Sequence, residues 1–190
     1  MDMDNAAKLQ FHELRSERLI IRQLQDADAH ELYSAVAESR DNLRPWLPFA
    51  DDHQSPEESL EYIRQSSEAI AAGVSFNLSI WSAAEYSLLG CCGLHIKNER
   101  IPSFEIGYWA RKSAEGNGYI TEAVHLLYDF MFTSWNARRI EIRCDSENAR
   151  SAAVAVRSGF QFEGSLRSAH YVNGKISDMD VYSLLNTDPH

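Results

Sequence analysis

The stretch from Phe104 to Phe132 constrains the fold of this chain more than any other. Residues Phe104 to Ala110 read as a β-strand, and a short turn follows, Glu115 to Gly118, which we call the glycine turn. A predicted helix comes next, with apolar residues on one face: Ile120, Ala123, Val124, Leu127 and Phe130. Such a helix directs unpaired N–H groups and the positive end of its dipole at one point. The turn is therefore suited to bind a phosphate, although an ordinary strand-to-helix turn is the alternative.

Two well-known phosphate-binding patterns do not match the glycine turn. A Rossmann G-x-G-x-x-G motif needs a third small residue where this chain has Thr121. A P-loop needs Gly-Lys-Ser or Gly-Lys-Thr after four spacer residues, and the sequence contains no such string. The sequence therefore disfavours both a Rossmann dinucleotide-binding fold and a P-loop nucleotide-binding fold.

The string EIGYWARKSAEGNGYITEA resembles the acetyl-CoA loop of the GCN5-related N-acetyltransferase (GNAT) superfamily, Gln/Arg-x-x-Gly-x-Gly/Ala. It is similar to the branch of ribosomal-protein alanine/serine N-terminal acetyltransferases. A second string, CDSENARSAAVAVRSGF, resembles the family's Asn-x-x-Ser followed by Gly-Phe, with Asn148 and Ser151 at the key positions. The chain departs from the first pattern at Ser113 and Glu115, where Gln or Arg is usual. The two departures affect one side-chain contact with the phosphates of the cofactor, and they leave both glycines of the turn in place.

Length and composition favour one globular domain. The chain has 190 residues, of which 44% are hydrophobic, enough for a substantial core. We predict a flexible start over residues 1–12 and a single domain over residues 13–187. No apolar run is long enough to span a membrane, and Met1 to Asn5 is too acidic and polar for a signal peptide. We therefore expect a cytoplasmic protein without a membrane partner.

Charge and cysteine content exclude further classes. A formal net charge of −10 disfavours nucleic-acid binding, which needs a basic face. Three cysteines, Cys91, Cys92 and Cys144, do not form a disulfide framework. Adjacent strand residues face opposite ways, so Cys91 and Cys92 cannot readily share a metal ion. No metal site is expected.

Local patterns predict the other elements of an α/β fold. Asp26 is a candidate N-cap for a first helix, and Ser55 and Gly73 delimit a second helix. Predicted strands are Arg18–Leu24, Ser75–Ser82, Leu88–Lys97, Arg138–Cys144, Phe160–Arg167 and Tyr171–Leu185. Asn173-Gly174 predicts a type I′ hairpin turn. A helix separates Phe104–Ala110 from Arg138–Cys144, so these two strands run parallel in a mixed, mostly antiparallel sheet with helices on both faces.

The resemblance implies how acetyl-CoA is bound. The two parallel strands splay apart, and the pantetheine arm pairs with backbone groups of Tyr108 to Ala110 as a short extra strand. An N–H near Tyr108 or Trp109 polarises the thioester carbonyl. Asn148 hydrogen-bonds the pantetheine arm, and the glycine turn holds the pyrophosphate. The implied cofactor-binding residues are Tyr108, Trp109, Ala110, Arg111, Gly116, Asn117, Gly118, Tyr119, Ile120, Asn148 and Ser151.

The resemblance also implies a direct attack of a neutral amine on the acetyl group. Glu105 is the candidate base, acting through a water molecule, and the alternative is an ion pair with an arginine such as Arg143. Ser151 is the candidate proton donor to the sulfur, and a helix-surface hydroxyl is its alternative. Trp46 and Tyr171, together with Glu105, are the expected acceptor-binding residues.

If Glu105 is the only base, an acceptor amine of low pKa is favoured. Neutralising an α-amino group of pKa about 7.7–8.0 costs roughly 1 kcal/mol at pH 7, and a lysine of pKa about 10.4 costs roughly 4.6 kcal/mol. The leading hypothesis is acetylation of a protein or peptide N terminus. A small amine (a polyamine, an amino acid or an aminoglycoside-like compound) and a non-catalytic acyl-CoA-binding module are the alternatives. Exposed strand edges permit a homodimer.

Overall fold

A computed structural model of the chain describes residues 9–98 and 100–189. Eight strands form one sheet: β1 (Leu14–Arg15), β2 (Leu19–Gln23), β3 (Ser75–Ser82), β4 (Leu88–Asn98), β5 (Ser103–Ala110), β6 (Arg139–Asp145), β7 (Gln161–Val172) and β8 (Lys175–Leu185). Their order across the sheet is β1-β2-β3-β4-β5-β6-β8-β7. Strands β5 and β6 pair in parallel, as predicted from the helix between them. The mixed sheet of the α/β prediction is confirmed.

The described residues contain four α-helices: α1 (Ala29–Leu43), α2 (Pro56–Ala72), α3 (Tyr119–Ser134) and α4 (Ala149–Arg157). The predicted ends of α2 are confirmed, because Ser55 Oγ accepts the N–H of Glu58 at 3.3 Å. Gly73 ends the helix with a φ of 71°, a conformation that glycine adopts without strain.

The start of α1 differs from the prediction. Residues Asp26–Asp28 form a 3-10 turn, and the N-cap position of α1 is Asp28 rather than Asp26. The Asp28 carboxylate accepts the N–H of Gln25 at 2.7 Å and pairs with Arg22, also at 2.7 Å. Asp26 pairs instead with Arg64 of α2. The two arginines lie on other elements, which local capping rules do not consider, whereas Gln25 forms a local capping box with Asp28.

The helices cover both faces of the sheet, as predicted. On one face, Val36 of α1 and Ile63 of α2 pack with Ile20 and Trp81 in one apolar cluster. On the other face, α3 and α4 pack in a second cluster around Ile106. Cys91 belongs to the first cluster and Cys92 to the second, which confirms that the adjacent cysteines face opposite ways. Within the part of the chain that the structure describes, no three His, Cys, Asp or Glu side chains form a potential metal site.

The predicted flexible start covers residues 1–12. Of the predicted flexible start, residues 1–8 lie outside the described residues. Phe11 and His12 pack against Phe130 of α3, so the packed chain begins before residue 13. In the hairpin between β7 and β8, Asn173 and Gly174 have φ values of 49° and 83°, as a type I′ turn requires. Among residues 9–98 and 100–189, no helix has the length and apolar character needed to span a bilayer.

Candidate functional site

The site is a cavity where the central strands separate. The pairing of β5 with β6 runs from Ser103 to Glu105 and goes no further, although β5 continues to Ala110. A cavity of about 1000 Å³ occupies this gap. Because the gap passes through the sheet, side chains from both faces line it, including Glu105 on one face and Tyr108 on the other. The predicted splay of the parallel pair is therefore present.

The glycine turn forms one end of the cavity. Gly116 and Gly118 have φ values of 78° and 77°, which side-chain-bearing residues rarely adopt. The first turn of α3 follows at once, and Tyr119 and Ile120 line the cavity with both glycines. Asn117 points elsewhere, because its side-chain amide donates to backbone oxygens of the turn at 3.1 and 3.2 Å. Asn117 therefore shapes the turn.

Arg111, one of the expected cofactor-binding residues, does not line the cavity. Its guanidinium group is 19% exposed and donates to Glu38 at 2.6 Å and to Glu31 at 2.7 Å, both on α1. The Glu38 carboxylate also accepts the N–H of Ser113 at 2.7 Å. Arg111 and Ser113 thus attach the segment before the glycine turn to α1.

Helix α4 supplies the opposite wall of the cavity. Asn148 Oδ1 caps this helix by accepting the N–H of Ser151 at 3.1 Å, and the cap does not use the side-chain NH₂ group. The Tyr108 hydroxyl lies 3.1 Å from Ser151 Oγ and 3.1 Å from Ser151 O. Burial raises the pKa of Tyr108 well above its usual value, so the phenol remains protonated. Cys144 lies beside this pair, and burial raises the pKa of its thiol to about 11.

Glu105 is held by cations at the point where the sheet opens. Its Oε2 accepts from Lys97 Nζ at 2.8 Å and lies 3.6 Å from Arg143 Nε. Arg143 is bound in turn by Glu141, at 2.7 Å. The arginine partner considered in the sequence analysis is therefore present, but the closer partner is Lys97 of β4. Glu105 is 23% exposed, so acceptor groups can reach it.

Two segments meet over the acceptor side. The Asn173 side-chain amide, at the tip of the β7–β8 hairpin, donates to Arg44 O at 2.8 Å, just after α1. Trp46 lines the cavity, as predicted. Tyr171 does not: it is 67% exposed, and its neighbour His170 lines the cavity instead. Strand alternation directs neighbouring side chains to opposite faces, and contact of Tyr171 with an acceptor stays a prediction.

Glu115 bridges two helices beside the glycine turn. Its carboxylate accepts from Asn42 of α1 at 3.3 Å and from Arg150 of α4 at 2.6 Å. All three side chains line the cavity. This places a carboxylate at the end of the cavity formed by the glycine turn, and Arg150 is the cation that offsets it.

The structure brings together most of the residues predicted for the site. Those that line the cavity are Trp46, Glu105, Tyr108, Trp109, Ala110, Gly116, Gly118, Tyr119, Ile120, Asn148 and Ser151. Sequence reasoning missed Lys97, Arg150 and the role of the Tyr108 hydroxyl. The sequence signal for Lys97 and Tyr108 was the alternation of side chains along their strands. The signal for Arg150 was its position next to Ser151.

Known proteins match this fold and sequence. Residues 18–161 match the family model described as an acetyltransferase (GNAT) domain. An uncharacterized N-acetyltransferase, p20 of Bacillus licheniformis, is 30% identical over 92% of this chain and 97% of its own length. The ribosomal-protein-serine acetyltransferase of Escherichia coli strain K12 is 27% identical over 88% of this chain and 93% of its own length.

A solved structure agrees with these matches. The microcin C7 self-immunity acetyltransferase MccE, in complex with acetyl-CoA and AMP, superposes with a TM-score of 0.84. It is 25% identical, over 90% of this chain and 93% of that one. The family model covers most of the chain, including the strand, the glycine turn and Asn148 to Ser151. The chain therefore belongs to the GNAT acetyltransferase family, as its two sequence motifs predict.

Proposed function

We propose that this protein transfers the acetyl group of acetyl-CoA to the α-amino group at the N terminus of a protein or peptide. The observation that carries the proposal is the gap between β5 and β6, where an open strand edge, an anion-binding turn, Glu105 and the Tyr108–Ser151 pair border one cavity. Family membership supports the acetyl transfer, and the name of the Escherichia coli relative supports a ribosomal-protein-like acceptor.

The residues present fit acetyl-CoA, which supplies an activated thioester when bound. Positive φ angles at Gly116 and Gly118 keep the turn free of side chains, so backbone amides can approach a pyrophosphate closely. The open edge of β5 offers unpaired backbone groups to the amides of the pantetheine arm. Asn148 can donate its NH₂ group to the same arm.

The position of the oxyanion donor follows from strand geometry. The N–H of Arg111 donates to Leu89 O of the neighbouring strand at 2.8 Å. Because successive residues of a strand direct their backbone groups to opposite edges, Trp109 faces β4, and Tyr108 and Ala110 face the gap. The N–H of Tyr108 is therefore the better placed of the two candidates to stabilise negative charge on the acetyl oxygen.

Acid and base lie on opposite sides of the gap. Glu105 borders the acceptor side and takes the proton of the attacking amine, directly or through one water. The hydroxyls of Tyr108 and Ser151 lie on the α4 side and return a proton to the departing sulfur.

The electrostatics of the acceptor side favour a weakly basic amine. Glu105 already pairs with Lys97 and lies beside Arg143, so this carboxylate is not free to anchor a strongly basic ammonium group. A single carboxylate also suffices more easily for an α-amine, whose deprotonation at pH 7 costs roughly 1 kcal/mol, than for a lysine at roughly 4.6 kcal/mol. This supports an N-terminal acceptor over a polyamine.

The test is release of free thiol from acetyl-CoA with a panel of acceptors. The panel contains peptides that begin with Ser or Ala, spermidine, free amino acids and an aminoglycoside, with Glu105→Gln assayed in parallel. We expect turnover on the peptides and a loss of about 10²-fold or more in Glu105→Gln. Turnover confined to the small amines would assign them as acceptors instead. Tight binding of acetyl-CoA without turnover on any acceptor would indicate a binding module.

A further inference from the structure

Lys97 meets the same geometric requirement as an acceptor amine. Its Nζ lies 2.8 Å from Glu105 Oε2, within the distance that a general base needs to remove a proton. The side chain lines the cavity together with Glu105, Gly107 and Tyr108. It is 34% exposed and carries a flexible four-carbon stem. Lys97 is thus an amine of this chain that lies beside the proposed base.

We propose that Lys97 is an internal acceptor: in the absence of a peptide, the protein transfers the acetyl group of acetyl-CoA to Lys97 Nζ. The inference rests on the proposed function, because it uses the same base and the same thioester. It adds a covalent modification site within the acceptor side of the cavity.

The step is balanced with the groups already placed. Glu105 takes one proton from the Lys97 ammonium, and the neutral amine forms a bond with the acetyl carbon while the carbon–sulfur bond breaks. The thiolate gains a proton from the Tyr108–Ser151 hydroxyls. The second amine proton returns to this hydroxyl pair through solvent, and Glu105 releases the first proton to solvent. The products are Nε-acetyl-Lys97, free coenzyme A and one proton.

Proximity compensates for the high basicity of a lysine. Deprotonating a lysine at pH 7 costs roughly 4.6 kcal/mol, which slows attack by about 10³-fold relative to a neutral amine. Well-oriented groups within one molecule react with effective concentrations of about 10⁵ M or more, which exceeds this loss. Slow transfer to Lys97 is therefore compatible with preferred turnover on α-amines.

Acetylation of Lys97 would change the acceptor side of the cavity. It removes the positive charge that pairs with Glu105 and leaves Arg143, at 3.6 Å, as the remaining cation beside this carboxylate. The carboxylate then becomes more available to an incoming amine. We expect peptide turnover to start slowly in fresh protein and to accelerate after preincubation with acetyl-CoA.

The experiment follows acetylation of each lysine by peptide mapping and mass spectrometry after incubation with acetyl-CoA alone. Lys175 is the matched control, because it pairs with Glu147 at 2.5 Å but lies outside the cavity and is 54% exposed. We expect acetylation of Lys97 at least about tenfold faster than that of Lys175, at a rate unchanged by diluting the protein. In Glu105→Gln the Lys97 rate should fall to that of Lys175.

Each result of this experiment either supports or overturns the internal acceptor. Equal labelling of Lys97 and Lys175, a rate that depends on protein concentration, or unchanged labelling in Glu105→Gln would overturn the inference. Assaying the same preparation on the peptide panel separates the two proposals. Peptide turnover without Lys97 acetylation contradicts only the internal acceptor, whereas no transfer to either acceptor contradicts the proposed function as well.

Discussion

The Tyr108 hydroxyl and Ser151 Oγ lie 3.1 Å apart, across the cavity wall between β5 and α4. Each hydroxyl carries its own proton, and a proton lost by one can be replaced from the other along the hydrogen bond between them. The sequence indicated Ser151 as the donor. We expect the two hydroxyls to act together, with Tyr108 as the buried member.

Replacing either hydroxyl should slow the reaction, and replacing both should add little. We expect Tyr108→Phe and Ser151→Ala each to lower kcat about 10–100-fold, because each interrupts the same proton path. The double variant should fall within about threefold of the slower single variant. Steady-state thiol release measures all three. Multiplicative losses would contradict a shared path.

The Tyr108–Ser151 pair also predicts how kcat depends on pH in the alkaline range. Burial holds the pKa of Tyr108 well above its ordinary value, so its hydroxyl stays protonated as the pH rises. The kcat of the wild-type protein should therefore not decline up to about pH 10, the usual pKa of a tyrosine. A decline near pH 8 that disappears in Tyr108→Phe would contradict this assignment.

Removing the Glu115 carboxylate should strengthen binding of coenzyme A. Glu115 pairs with Arg150 beside the glycine turn, at the end of the cavity where we propose that the phosphates bind. We expect Glu115→Gln to gain about 1 kcal/mol, or roughly fivefold in Kd, and Arg150→Gln to lose a similar amount. Calorimetry at low and high salt measures this, and screening should reduce both effects. Weaker binding by Glu115→Gln would indicate that Glu115 positions the turn.

Arg111 should matter for stability more than for cofactor affinity. Its guanidinium group bridges Glu31 and Glu38, and Arg111→Met leaves both carboxylates without this partner. We expect a loss of about 2 kcal/mol, roughly 4–8 °C in Tm, with a change of less than about threefold in the KM for acetyl-CoA. Thermal unfolding and kinetics on the same sample decide the matter. An unchanged Tm with a KM raised about tenfold would restore Arg111 as a phosphate ligand.

His53 should make the stability of the fold sensitive to acid. The ring is 4% exposed, its Nδ1 lies 2.9 Å from Ser59 Oγ, and burial lowers its pKa. Nearby Asp52 and Glu58 oppose this shift, and Arg40 adds to it. The unfolded chain therefore binds more protons at this residue, and its contribution to stability is lost as the pH falls below about 6.5. Urea unfolding should show a smaller acid-induced loss between about pH 7.5 and 5.5 in His53→Gln. Equal losses would contradict the shift.

Local chemistry made part of this fold predictable. Ser55, Pro56 and Gly73 delimit α2 by capping alone, and the two glycines of the turn need no distant partner. The parallel pairing of β5 with β6 followed from the helix that crosses between them, and the open strand edge was implied by the resemblance of two motifs.

The side-chain orientations were less predictable because they depend on distant partners. Arg111 faces Glu31 and Glu38, which are 80 and 73 residues away along the chain. Glu105 meets Lys97 through the register of β4 with β5, which includes a bulge between Ile96 and Asn98. A sequence pattern assigns residues to a face, whereas the choice between partners on that face depends on the packed structure.

The most direct test of acetyl transfer to an N terminus uses two matched peptides. One begins with a free Ser and contains no lysine, and the other has a blocked N terminus and one internal lysine. At pH 7 we predict a kcat/KM at least about 100-fold higher for the free N terminus, from the difference in the cost of deprotonation. Equal or faster acetylation of the lysine peptide would contradict the proposed acceptor.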